Sequence, residues 1–142
     1  HAAATHLLRP TGQRRSPESL LRRASGLDRD DIAVGGVIAA RHYYPALDLR
    51  GTPRLDFTLH SPDGSADLSF VEQLDPALER TTSKDEPAAL AIHVLRRQAS
   101  FFEPGGDGLP WADPLESLLG LYDARLEPQA REFLDYLVTS VG

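Results

Sequence analysis

The chain has 142 residues, enough for one domain with one core, and its 41% hydrophobic and 25% charged residues are those of an ordinary globular protein. Cysteine is absent, which excludes disulfides, thiolate catalysis and zinc–thiolate sites and suits a reducing compartment, so the expected location is the cytoplasm. The longest apolar run, Ile32 to Ala40, is broken by Gly35 and Gly36 and falls well short of the ~20 residues of a membrane span.

The formal net charge of −6 is unevenly spread. Residues 1–60 hold nine Arg against six acids, a balance of +3, and residues 61–142 hold six basic against fifteen acidic residues, a balance of −9. Phosphate backbones would be repelled over most of such a surface, and only the N-terminal stretch could face nucleic acid favourably. The opening His1-Ala2-Ala3-Ala4 has neither an initiating methionine nor a signal-peptide pattern, and suggests part of a longer protein.

In chain order, residues 1–15 read as a loose lead-in with Pro10 and Gly12. Ser16 is placed to cap a helix with Pro17 at its first position, Leu20, Leu21 and Ala24 as its apolar stripe, and Gly26 to end it in a left-handed conformation. Ile32-Ala33-Val34 reads as a short buried strand or a helix start; Gly35-Gly36 follows, then a helix over 37–43. The clearest strand is 54–60, where Leu55, Phe57 and Leu59 alternate with Arg54, Asp56, Thr58 and His60. Ser61-Pro62-Asp63-Gly64 is a turn, and a second alternation over 66–71 predicts a hairpin partner. Residues 74–87 read as polar and turn-rich, with a single turn at 75–78. A third strand, or else a short helix, is expected over 89–95 and a glycine-bearing loop over 100–110. Asp113-Pro114-Leu115-Glu116 opens one helix and Glu127-Pro128 another. The whole predicts a single α+β domain over 1–142, a small mixed or antiparallel sheet of three or more strands packed with helices, for which a nucleotidyltransferase-like topology is one reading.

Gly35-Gly36 ahead of a helix, followed by a strand bearing Asp56, is the pattern with most chemical content. Nucleotidyltransferases hold phosphates on the free N–H groups of such a turn, and pair two strand acids, Asp-x-Asp, on one Mg²⁺. Here the second acid is Thr58, and a neutral hydroxyl supplies no charge for a metal. As an enzyme, the chain would use Asp56 and Asp67 as catalytic acids, Gly35 and Gly36 for nucleotide, and Mg²⁺ as cofactor. The plainer reading makes the glycines a close-packing device and Asp56 a solvated strand residue, with no catalytic residue, metal or cofactor.

No two of His1, His6, His42, His60 and His93 have helical metal-ligand spacing, although His60, His93 and Asp56 could meet across a sheet. The serines lack a nucleophile elbow. Arg9, Arg14, Arg15, Arg22 and Arg23 form the one basic cluster, and Arg14, Arg15, Arg22 and Arg23 are the candidates for nucleic-acid contact. Phe101, Phe102 and Trp111 flank the glycine-bearing loop, as core anchors or as an apolar patch for a protein partner.

Four segments together resemble a known family: 31–40 (Asp-Ile-Ala-Val-Gly-Gly-Val-Ile-Ala-Ala), 53–59 (Pro-Arg-Leu-Asp-Phe-Thr-Leu), 111–122 (Trp-Ala-Asp-Pro-Leu-Glu-Ser-Leu-Leu-Gly-Leu-Tyr) and 129–134 (Gln-Ala-Arg-Glu-Phe-Leu). They resemble the C-terminal effector domain of AbiEi-type transcriptional regulators, the antitoxins of type IV toxin–antitoxin systems. The resemblance implies a non-enzymatic regulatory domain whose protein partner is a cognate nucleotidyltransferase toxin or a second copy of itself. It also implies a winged helix-turn-helix ahead of this domain to bind operator DNA. The chain departs from that pattern because residues 1–30 supply one helix at most.

Overall fold

The computed structural model describes residues 4–10, 16–27, 31–49, 54–65, 67–81, 88–96, 102–103 and 109–141. Its elements, in chain order, are β1 (Ala4–Pro10), α1 (Pro17–Ala24), β2 (Ile32–Gly35), α2 (Gly36–Tyr43), β3 (Leu55–His60), α3 (Val71–Leu74), β4 (Leu78–Thr81), β5 (Leu90–Leu95), α4 (Pro114–Asp123) and α5 (Glu127–Val141). The five strands form one mixed sheet in the order β2-β3-β5-β1-β4, with β3 and β5 parallel and the other neighbours antiparallel. This is the expected α+β class, and its five strands fit the expected sheet of three or more.

Strand side chains alternate between the faces of a sheet, so its two faces have separate chemistry. Leu55, Phe57 and Leu59 of β3 join Leu90, Ile92 and Val94 of β5, Ile32 and Val34 of β2 and Leu8 of β1 in one apolar cluster with Leu20 and Ala24 of α1 and Val71 and Leu74 of α3. Arg23 of α1 donates to the Leu74 carbonyl at 2.9 Å, tying these helices together. A second cluster joins Val37 and Ala40 of α2, Leu118 and Leu121 of α4, and Ala130 and Phe133 of α5. α2 and α4 cover the opposite face over β2 and β3. Asp56, Thr58, Ala91 and His93 alternate with the first cluster's residues, so they stand on that second face.

Helix starts follow local chemistry. Ser16 Oγ accepts from Ser19 N at 3.1 Å and Asp113 Oδ1 from Glu116 N at 2.8 Å, with proline in the first turn of each helix. Beyond α2, the segment 110–112 runs along the free edge of β2. Val34 N donates to Pro110 O at 2.9 Å and Ala112 N to Val34 O at 2.8 Å. Trp111 stacks on His42 with centroids 4.1 Å apart, and Tyr43 donates its hydroxyl to Ala112 O at 2.7 Å. Burial, with Glu103 beside it, raises the Tyr43 pKa well above the ordinary phenol value and keeps that hydroxyl a donor.

Four expectations change. Residues 4–10 are not a lead-in but a sheet strand between β5 and β4: Leu7 and Leu8 pair with the apolar β5, which outweighs Pro10 as a breaker. The described part of 66–71 forms no hairpin with β3; Val71–Leu74 is a helical turn instead, because Phe70, Val71 and Leu74 all reach the core under α1, a helical spacing. The turn-rich stretch after it contains β4, an edge strand whose Glu79 and Arg80 point to solvent, as edges tolerate. The helix before Gly26 ends on Ser25 in an ordinary right-handed conformation, and Gly26 has no positive φ.

Phe133 is fully buried at the α2–α4–α5 junction. Phe133→Ala removes most of that cluster's largest side chain and should cost about 3–5 kcal/mol, read as a lower urea midpoint with an unchanged slope.

Candidate functional site

The second sheet face is polar and yet covered. Asp56 is 2% exposed, so it is not a solvated strand residue; α2 and α4 lie over the face that alternation alone assigns to water. A buried carboxylate requires compensation in charge and hydrogen bonds. Arg54, two residues earlier and therefore on the same face, supplies both. Its Nε reaches Asp56 Oδ1 at 2.9 Å and its Nη2 reaches Oδ2 at 3.0 Å, a two-pronged pair. Nη2 also reaches Asp123 Oδ2 at the end of α4, at 2.7 Å. From the neighbouring strand, His93 Nε2 lies 2.7 Å from Asp56 Oδ2. Burial alone would push the Asp56 pKa up; the His93 hydrogen bond and the Arg54 charge outweigh it and hold the carboxyl below its ordinary value. The same carboxylates, against burial, hold the Arg54 guanidinium above its ordinary value.

Glycines make room for this centre. Gly36 has φ +60°, and a Cβ there would lie 2.8 Å from both Cβ and Cγ of Asp56. Only glycine takes that backbone without strain, and only a missing side chain lets α2 start directly over the carboxylate. A Cβ on Gly120 of α4 would lie 3.0 Å from the Gly36 Cα, and one on Gly35 would lie 3.2 Å from Thr58 Oγ1. The Gly35-Gly36 turn and Asp56 therefore converge, and α4 closes directly on the turn.

Asp67 does not join them. It is exposed in the loop leading to α3, which packs on the other sheet face, and its Oδ1 accepts from Ser69 N at 3.1 Å. Among the described residues no three acids or histidines group to hold a metal. Both Asp56 oxygens are taken by Arg54 and His93, so Asp56 and Asp67 do not fit a Mg²⁺ ion. A guanidinium fills the cation's role.

Of the other candidates, Arg22 and Arg23 are exposed at the end of α1, while Arg14 and Arg15 lie outside the described residues. Phe102 is half-buried and its ring meets His60 edge-on at 6.4 Å; Trp111 is half-buried on His42; Phe101 lies outside the described residues. His60 and His93 go to different partners. Sequence reading missed Arg54, Asp123 and Thr5, whose Oγ1 lies 3.2 Å from His93 Nδ1. For Arg54 a signal existed in the i, i+2 spacing to Asp56; for the others none did.

Arg54→Met strands a buried carboxylate and should cost about 3–5 kcal/mol by urea denaturation. Adding Asp56→Asn to it removes the orphaned charge and should restore at least about 1 kcal/mol; a double variant weaker than Arg54→Met would show that the charge pairing is not what holds this site together.

Set against known proteins, the chain matches no family model, no curated protein and no solved structure, so its geometry carries the functional reading.

Proposed function

We propose that this chain is a non-enzymatic regulatory or partner-binding domain of the antitoxin-like transcriptional-regulator type. The observation that carries the non-enzymatic reading is the two-pronged Arg54–Asp56 pair, which occupies the strand acid beside the Gly35-Gly36 turn that a nucleotidyltransferase would need for Mg²⁺. α4 packed on Gly36 adds to it, since Gly120 closes on the backbone where a phosphate would approach.

The partner-binding part draws on the surface. Among the described residues, the exposed large apolar side chains are Leu115, Tyr122, Leu134, Tyr136 and Val138, all on α4 and α5. Leu115 is 59% and Val138 66% exposed, in a helical pair whose inner faces are already satisfied by the second core cluster. Exposed apolar groups collected on one pair of elements suit protein contact, Tyr136 also stacking on Tyr44 with centroids 4.3 Å apart. The segments that resemble the antitoxin effector domain fall on β2–α2, β3, α4 and part of α5. The cognate partner on this reading is a nucleotidyltransferase toxin, and DNA binding belongs to a separate winged helix.

Calorimetry with ATP, GTP, CTP and UTP, each with Mg²⁺, should show no heat, while a nucleotidyltransferase encoded beside this chain should bind it and lose affinity on Leu115→Glu and Val138→Glu. Nucleotide binding abolished by Asp56→Asn would overturn the reading in favour of the nucleotidyltransferase-like enzyme.

A further inference from the structure

Thr5 and His93 are direct register partners on the antiparallel strands β1 and β5. Thr5 is exposed and His93 is 7% exposed, so a hydroxyl at the surface meets an imidazole at the edge of the interior. Behind the imidazole stands Asp56, at 2.7 Å from Nε2. Arg54 keeps that carboxylate an anion, and an anion only accepts hydrogen bonds, so Nε2 carries the proton and donates it to Asp56. In the neutral imidazole Nδ1 is then bare and must accept, and the group facing it at 3.2 Å is the Thr5 hydroxyl. The tautomer is thus set from inside the protein. A hydroxyl, an oriented base and a buried carboxylate stand in line across three strands of one sheet face.

A free threonine hydroxyl is a poor nucleophile, and a base within hydrogen-bond reach whose own orientation is fixed by a third group is what activates one. We infer that Thr5 is an activated acceptor hydroxyl, with His93 as its general base and Asp56 as the group positioning that base, and that it takes an acyl group from activated carboxylic esters. The inference goes beyond the binding role proposed above and does not rest on it. In the step, Thr5 Oγ1 attacks the ester carbonyl carbon as its proton passes to His93 Nδ1. The tetrahedral adduct then expels the alcohol or phenol oxygen, which takes the proton back from His93. An ester on Thr5 and a free alcohol or phenol result, with His93 returned to its starting form. α2 and α4 lie over β2 and β3, and Thr5, on β1 beyond β5, is the exposed end of the line, so the ester need not enter the core.

The test is reaction of the full chain with p-nitrophenyl acetate, followed by intact mass and peptide mapping. One acetyl group should appear on Thr5, with p-nitrophenol released. Thr5→Ser should keep the reaction. Thr5→Val leaves the His93–Asp56 pair in place and should abolish acetylation at position 5, and His93→Gln should slow acetylation of Thr5 by about a hundredfold or more. Acetyl groups found only elsewhere, or an unchanged Thr5 rate in a folded His93→Gln variant, would overturn the proposal. If His93→Gln fails to fold, the wild-type rate in D₂O decides instead: slower acetylation of Thr5 supports proton transfer to His93, and equal rates in the two solvents exclude it.

Discussion

A carboxylate buried between a sheet and two helices must find positive charge or take up a proton, and most of this structure is arranged around how Asp56 finds that charge. The source is Arg54, two residues away on the same strand face, where alternation brings the side chains together without a long-range search. Because the partner is local in sequence, the pair can form as soon as the strand does. Its third contact, to Asp123, extends the network to the end of α4, so the ion pair also locates a helix.

The consequences spread in two directions. Toward α2, the carboxylate crowds the helix start so closely that Gly36 must be glycine, and α4 then closes on that glycine through Gly120. Toward β5 and β1, the anion fixes the proton on His93 and, through it, the direction of the hydrogen bond with Thr5. One charge therefore dictates a backbone conformation on one side and a tautomer on the other. The apolar cores on the two faces supply the bulk of the burial; the network across the second face fixes how α2 and α4 sit on the sheet.

Much of the fold was legible from local chemistry. The caps at Ser16 and Asp113, the alternation over 54–60 and the apolar run at 89–95 are short-range signals, and each marks an element present in the structure. β1 and β4 were not legible, because His6, Arg9, Glu79 and Arg80 mask strand character that exists only once the neighbours are paired. The period of two over 66–71 misled because Phe70, Val71 and Leu74 follow the core rather than a sheet pleat. At the site, Gly35, Gly36 and Asp56 stood out by motif, and the structure brings Gly36 against Asp56. The charge state of the centre did not stand out. Alternation reveals that Arg54 and Asp56 share a face, not that helices will cover it, and Thr5 and His93 lie 88 residues apart with only the β1–β5 register to bring them together.

The most direct measurement is a carbon NMR titration of the Asp56 carboxyl, repeated with millimolar Mg²⁺. Because the folded-state pKa lies below the ordinary value of 3.8, the stabilisation it brings is complete above that pH and is lost as pH falls through the lower, folded value. The signal should therefore stay that of an anion through pH 3.8 and begin to move only below it, unchanged by the metal. A carboxyl that gains its proton at or above 3.8, or whose resonance shifts on adding Mg²⁺, would contradict the assignment of Arg54 as its resident cation.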